Sequence, residues 1–282
     1  MLPLVMGIVN RTPDSFFEAS RSNPETVEID TALRMLADGA DILDIGGESS
    51  RPGSEYVSAR QEIQRIVPFI RSLREHSSVA LSVDTRKAEV AAAAAEAGAD
   101  IVNDISALRD DPEIAAVAKH YDMPLVLMHM AGTPATMQNN PSYSDVVAEV
   151  ERFLLDAADR AVAAGIPAEK IILDPGIGFG KRYQDNLDLV RAIPRLRAHG
   201  FPVLLGISRK TVLGQIAGST DNPVPVDDRL AVSVVAQVIA AQFGADILRV
   251  HDVAATRQGL AAAKAFGCLP AQQAFDIKKV VK

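Results

Sequence analysis

Eight short apolar runs punctuate the chain, and each gives way to polar or glycine-rich sequence. Residues 4–9 stop at Asn10, 41–45 run into Gly46-Gly47 and a loop through Gly53, and 79–83 stop at Asp84. Residues 100–102 stop at Asn103, 124–128 at His129, 171–173 at Asp174, 202–207 at Ser208, and 246–250 at His251. Continuous rather than alternating runs predict strands buried on both faces. Between them the spacing turns helical, predicting helices over 59–74, 86–97, 112–120, 143–164, 185–197, 228–243 and 254–266. A further helix starts at Asn23-Pro24, with Asn as cap and Pro in the first turn, and ends at Gly39. Strands alternating with helices imply a parallel sheet in an α/β fold. Eight such units close into a (β/α)8 barrel more naturally than into a doubly wound open sheet, which is the alternative. The barrel is expected over residues 1–267 as one domain, with 268–282 a C-terminal tail read as a helix of no assigned role.

Composition narrows the setting. A net charge of −7 argues against a nucleic-acid surface, so an anionic ligand needs a local basic cluster. The one cysteine, Cys268, excludes an internal disulfide and suits a reducing cytoplasm. No apolar run approaches a membrane span and no signal-peptide pattern opens the chain, so no membrane partner is expected.

In a barrel, functional groups gather at the carboxyl ends of the strands. Pooling those ends gives two subsets. Asp84, Asn103 and Asp174, with Lys210 as donor, suit a flat heterocycle bearing several N–H groups: a carboxylate accepts two hydrogen bonds from an amino-amidine edge, and Asn both donates and accepts. Arg51, Arg209, Arg249 and His251 suit a phosphate or diphosphate, with Asn10 as one oxygen ligand of a Mg²⁺ otherwise bound by water and phosphate. Blander readings stand beside these. A lone strand-end polar residue is often a cap or turn former. His129 lacks a partner at metal-ligand spacing and reads as structural, and Gly176–Gly180 does not match the dinucleotide fingerprint. Arg71, Arg74 and Glu75 read as a solvated face, and no serine–histidine pair is evident for nucleophilic attack.

The ordered strand-end motifs carry a resemblance. Met6-Gly7-Ile8-Val9-Asn10-Arg11-Thr12-Pro13-Asp14-Ser15-Phe16, Gly46-Gly47-Glu48-Ser49-Ser50-Arg51-Pro52-Gly53, Val83-Asp84-Thr85 and Asn103-Asp104-Ile105 resemble the dihydropteroate synthase family. So do Met128-His129-Met130-Ala131-Gly132-Thr133-Pro134, Asp174-Pro175-Gly176-Ile177-Gly178-Phe179-Gly180-Lys181, Ser208-Arg209-Lys210 and Arg249-Val250-His251. The resemblance implies a TIM barrel, usually a homodimer and a sulfonamide target. The implied reaction joins 6-hydroxymethyl-7,8-dihydropterin diphosphate to 4-aminobenzoate, giving 7,8-dihydropteroate and diphosphate. It further implies that Asp84, Asn103, Asp174 and Lys210 hold the pterin, with Phe179 and Met128 lining its slot. Asn10, Arg51, Arg249 and His251 would hold diphosphate and Mg²⁺, and Ser50, Pro52 and Thr211 would border the aminobenzoate. Asp14, Phe16 and Glu18 fall on a first mobile loop, with Glu18 the candidate to stabilise a cationic pterin methylene.

This chain departs from the family pattern at Arg11, at Phe17-Glu18-Ala19-Ser20, at Ser50 and at Thr211. The stretch Asp14–Phe17 followed by Ser20-Arg21 is similar to sulfonamide-resistant members, without the extra aromatic they carry after Gly178-Phe179. Two other functions fit parts of the pattern: a pterin-binding protein without turnover, and a methyltetrahydrofolate–corrinoid methyltransferase. The latter would need the Asp84, Asn103, Asp174 set but not the basic cluster.

Overall fold

Alternation along the strands decides which way each residue faces, and here it sorts the barrel wall into two surfaces. The structure, a computed structural model, describes residues 2–11, 24–50, 53–270, 275–277 and 280–281. Its strands are β1 (Leu4–Asn10), β2 (Ile42–Gly46), β3 (Ala80–Asp84), β4 (Ile101–Asp104), β5 (Leu125–Met128), β6 (Ile171–Asp174), β7 (Leu204–Leu205) and β8 (Ile247–Val250). All are parallel, in the order β6-β5-β4-β3-β2-β1-β8-β7. A single bridge between Leu173 and Val203, with Leu173 N–H donating to Pro202 O at 2.9 Å, joins β6 to β7 and closes the ring. This is the TIM barrel expected from the pattern.

Outward residues such as Val5, Leu43, Ile45, Leu81, Val83, Val102, Leu125, Leu127, Ile171 and Leu173 pack beneath the helices in one large core. That double burial is why the runs are continuous. Inward residues near the strand starts form a second cluster of Met6, Ile42, Ile101, Val126, Ile172, Leu204 and Ile247. Ile277 and Val280 of the tail belong to this cluster, with Phe275 and Val281 packed against it. The expected tail helix is not seen: among the described tail residues there is no α-helix, and the segment covers the barrel floor instead.

Two other readings change. The helix expected over 185–197 is split into Tyr183–Arg191 and Ile193–Arg197. Pro194, at the start of the second piece, has no N–H for a continuous ladder and its ring would crowd the preceding turn. Arg74 is not on a solvated face. Its guanidinium reaches from the helix Ala59–His76 to Asp100, to Val79 O and, through Nε, to Gly98 O at 2.8 Å. It thereby binds the carbonyl end of the helix Ala88–Ala97 to the start of β3. Among the described residues no helix is long and apolar enough to cross a membrane.

Candidate functional site

Two residues beyond the apolar floor, the same inward faces turn polar. Ile42 is followed inward by Asp44, Ile101 by Asn103, Ile172 by Asp174 and Ile247 by Arg249; β3 adds Ser82 and Asp84. The register sets Gly46 beside Asp84, Asp84 beside Asn103, and Met128 beside Asp174. Gly46 thus faces Asp84 across the strands, and a β-carbon there would lie in ordinary contact, 3.5 Å from Asp84 Cβ.

Arg249 is the centre of this layer. Its Nε donates to Asp44 Oδ2 at 2.6 Å and its Nη2 to Asp84 Oδ2 at 2.8 Å. Asn103 Nδ2 donates to the same Asp44 oxygen at 3.1 Å. Burial pushes the Asp84 carboxyl up to about 7 against the opposing pull of Arg249, while burial is outweighed at Arg249 by Asp44 and Asp84, which hold it charged. Asp174 is pushed up to about 6, again by burial. Its Oδ1 accepts from Gly176 N–H at 2.7 Å, leaving Oδ2 and further lone pairs for a ligand. Gly176 has φ +67°, and a β-carbon there would fall 2.0 Å from His129 O, so only glycine closes this turn.

Lys210 Nζ lies 3.9 Å from the ring centroid of Phe179, and burial followed by the Arg249 charge lowers it to about 8. Phe179, Met128, Ile105, Met130 and Met137 form a small apolar cluster beside it. One mouth thus combines acceptors (Asp84, Asn103, Asp174), a cationic donor over a ring (Lys210 on Phe179) and a guanidinium with N–H groups to spare.

The remaining expected residues fall around this centre unevenly. His251 accompanies Ser208, whose Oγ lies 3.2 Å from His251 N and 3.1 Å from its Nδ1. Burial, then the Arg249 charge, lowers His251 to about 4, so it enters as a neutral imidazole. This is a serine–histidine pair that the sequence did not reveal, but Ser208 is 3% exposed and engaged with the backbone, which makes it a brace rather than a nucleophile. Arg209 is not a free donor: it forms a two-pronged pair with Asp252 at 2.6 and 2.9 Å. Asn10 is exposed at the end of β1, Ser50 is half-buried, and Thr211 is exposed at the start of the helix Thr211–Ala217. Asp14, Phe16, Glu18, Arg51 and Pro52 lie outside the described residues.

Three features escaped the sequence reading. Asp44 sits inside an apolar run, where a charged residue between Leu43 and Ile45 was the available signal. Lys181 is buried, and its Nζ reaches His129 Nδ1 (2.9 Å), Gly176 O (2.8 Å), Phe179 O (3.1 Å) and His129 O (3.2 Å). Burial lowers Lys181 to about 7 and, with the Lys181 charge, His129 to about 2. His129 therefore packs as a neutral ring, edge-on to Phe153. Third, Lys87 Nζ donates to Glu48 (2.6 Å) and Glu62 (2.7 Å), Arg86 donates to Glu48 (3.0 Å), and Arg65 to Gly47 O (2.7 Å). This network fixes the start of the loop that carries Ser50.

Among the described residues no group of three His, Cys, Asp or Glu side chains is arranged for a metal. A lone exposed amide at Asn10 fits only a hard cation whose other ligands are water and ligand oxygens, which is how Mg²⁺ binds with phosphates.

Comparison with known proteins follows the same lines. A family described as pterin binding enzyme matches residues 6–251. The chain is 46% identical over 254 residues to a dihydropteroate synthase of Synechocystis, covering 90% of this chain and 86% of the relative. It is 42% identical over 258 residues to that of Escherichia coli, covering 92% and 89%. Among solved structures it superposes on Xanthomonas albilineans dihydropteroate synthase with 4-aminobenzoic acid at a TM-score of 0.88 and 44% identity, covering 95% and 94%. The same enzyme in complex with 7,8-dihydropteroate gives a TM-score of 0.84 at 42% identity, covering 95% of each chain.

Proposed function

This chain belongs to the pterin-binding enzyme family, among the dihydropteroate synthases, and from that premise we propose how it joins 6-hydroxymethyl-7,8-dihydropterin diphosphate to 4-aminobenzoate. The observation that carries the reading is the packing of three acceptors, Lys210 over Phe179 and Arg249 into one barrel mouth. Asp174 accepts from the amino-amidine edge of the pterin, Asp84 and Asn103 take its other polar atoms, and Lys210 donates to the ring carbonyl. Phe179 and Met128 wall the slot. Arg249 turns its free N–H groups to the diphosphate, with Arg51 and a neutral His251 as further donors. Ser50, Pro52 and Thr211 border the aminobenzoate.

The amine of 4-aminobenzoate is a weak nucleophile, so departure of the leaving group governs the reaction. The carbon–oxygen bond to diphosphate breaks, the carbon–nitrogen bond forms, and the amine gives up one proton. Charge gathering on the departing oxygens is met by Arg249, a donor already oriented by Asp44 and Asp84. Positive charge on the pterin methylene is stabilised by the neighbouring carboxylates, with Glu18 and Asp14 the candidates from the first loop. Mg²⁺, held by Asn10, would supply further positive charge to the diphosphate. No step needs a protein nucleophile.

The chain is read as a cytoplasmic homodimer. The helix Leu230–Phe243 leaves Val235 and Ile239, four residues apart on one face, exposed (57% and 39%), an apolar pair suited to a second copy. Val235→Asp should halve the mass seen by sedimentation; an unchanged parent-like mass removes this face from the interface.

The test of function is steady-state turnover with both substrates. Dihydropteroate should form only when 4-aminobenzoate and Mg²⁺ are present and should cease with chelator. Tight binding of the pterin diphosphate without any dihydropteroate would replace the synthase by a pterin-binding protein, and turnover undiminished by chelator would remove Mg²⁺.

A further inference from the structure

Asp44 is fully buried, and it touches both halves of the site without itself facing the mouth. It stands two residues before the end of β2, one layer beneath the Gly46–Asp84–Asn103 row, with Ser82 its neighbour on β3. One of its oxygens, Oδ2, receives both Arg249 Nε at 2.6 Å and Asn103 Nδ2 at 3.1 Å, while Oδ1 has no hydrogen-bond partner. A buried carboxylate with unused acceptors is a poor device for stability, because a buried ion pair seldom outperforms apolar residues of the same volume. Its value must lie in what it holds in place.

Asn103 shows what that is. Its amide has a donor end and an acceptor end that are interchangeable by a half-turn about the last side-chain bond. A carboxylate paired with a guanidinium offers only acceptors, so the NH2 end must face Asp44. One N–H is thereby committed, and the second N–H and Oδ1 remain, in fixed order, for the slot. The same oxygen fixes Arg249 through Nε, directing its outer N–H groups away from the floor. We propose that Asp44 is a positioning residue for the synthase reaction: it sets the donor–acceptor order of the pterin slot through Asn103 and couples that slot to the diphosphate end through Arg249. Neither residue it holds can turn without breaking a bond to the oxygen they share.

The proposal rests on the synthase reading, and the parent protein's own turnover separates the two. A parent without turnover overturns that reading; a parent that turns over, beside an Asp44 variant that behaves like it, overturns this one. Asp44→Leu keeps the volume but removes the oxygen that both donors share. Its affinity for unphosphorylated pterin should fall about tenfold, the loss of one buried hydrogen bond, and the extra affinity contributed by the diphosphate should also shrink. In an Asn103→Ala background the same substitution should weaken the unphosphorylated pterin by no more than about twofold, because the amide it orients is gone. Equal losses in both backgrounds would make Asp44 merely structural and overturn the proposal, as would parent-like affinities and kcat/KM in Asp44→Leu.

If Asp44→Leu does not fold, Asn103→Asp decides. Its new carboxyl, set among Asp44, Asp84, Asp174, Lys210 and Arg249, can reach Asp44 only while it holds a proton. Pterin affinity relative to the parent should then fall as pH rises, and a ratio independent of pH overturns the proposal.

Discussion

The floor and the mouth of the barrel are built from the same strands, two residues apart, and differ in almost every physical respect. At the floor, Met6, Ile42, Ile101, Val126, Ile172, Leu204 and Ile247 are each fully buried and pack as one apolar cluster, with Ile277 and Val280 of the tail among them. About 6–7 Å further along the strands stand Asp44, Asn103 and Asp174, nearly as buried but charged or polar, and a part-buried Arg249. Burial stabilises the first group at roughly 25 cal/mol for each Å² removed from water. It works against the charges at the mouth, shifting Asp84, Asp174 and Lys210 toward their neutral forms. Stability and chemistry are thus segregated along the barrel axis, and edits at the two ends should produce opposite signatures.

The largest effect is expected at the mouth. Arg249→Ala should lower kcat/KM by about 100- to 1000-fold, as loss of a transition-state donor does. It should weaken the pterin diphosphate far more than the unphosphorylated pterin; equal weakening by calorimetry would move Arg249 out of the diphosphate site. At the floor, Ile277→Ala should cost about 2 kcal/mol of stability, the usual scale for truncating a buried isoleucine, while pterin affinity stays at the parent value. A loss of affinity without a change in the denaturation midpoint would join the tail to the site and erase the contrast.

Asp174→Asn comes next. It replaces a double acceptor with an amide whose donor faces a ligand donor, so pterin affinity should fall at least about tenfold. Thermal stability should hold, because the change relieves a buried charge. A lower melting point with unaltered affinity would make Asp174 only a turn former.

The smallest effect is the pH dependence. Asp174 and Asp84 have values raised to about 6 and about 7, and the pterin needs them ionised. Its affinity should therefore be level above about pH 7 and fall as pH drops through these values. Their contribution to folding runs the other way. Between the ordinary carboxylate range and about pH 7 the unliganded native state binds more protons than the unfolded chain, so these two groups lower stability as pH rises through that window. Calorimetry in buffers of differing ionisation enthalpy should count protons released when pterin binds near pH 6; no release would mean the carboxylates are already ionised.

The contrast also explains what the sequence discloses. Strand ends are legible because a polar residue interrupting an apolar run is a local signal, and Asp84, Asn103, Asp174 and Arg249 fall at such places. Asp44 is hidden because its role depends on a partner 205 residues away. Lys181 was visible only as the last letter of a glycine-rich motif, and nothing local indicates that it ties together three backbone carbonyls. The floor contacts of Ile277 and Val280 are hidden because the pattern of the tail carries no information about the barrel floor they cover. The split at Pro194, by contrast, obeys a local rule that the helical spacing of its neighbours had masked. Arg74 belongs with the long-range cases, since its carbonyl partners lie outside its own helix.

One seam in the wall has a further consequence. The ring is closed between β6 and β7 by a single bridge at Leu173–Val203, and β7 is only two residues long. Asp174 ends one side of that seam, and Lys210 follows the other. A flat ligand gripped by both would act as a clasp across the weakest join of the barrel, tying the first six strands to the last two. Amide hydrogens at residues 203–205 should then exchange with solvent more slowly once pterin is bound, with the floor amides of β1 and β2 as an internal reference. The ligand would then serve as the missing stave of a cask whose hoop is otherwise closed at one point.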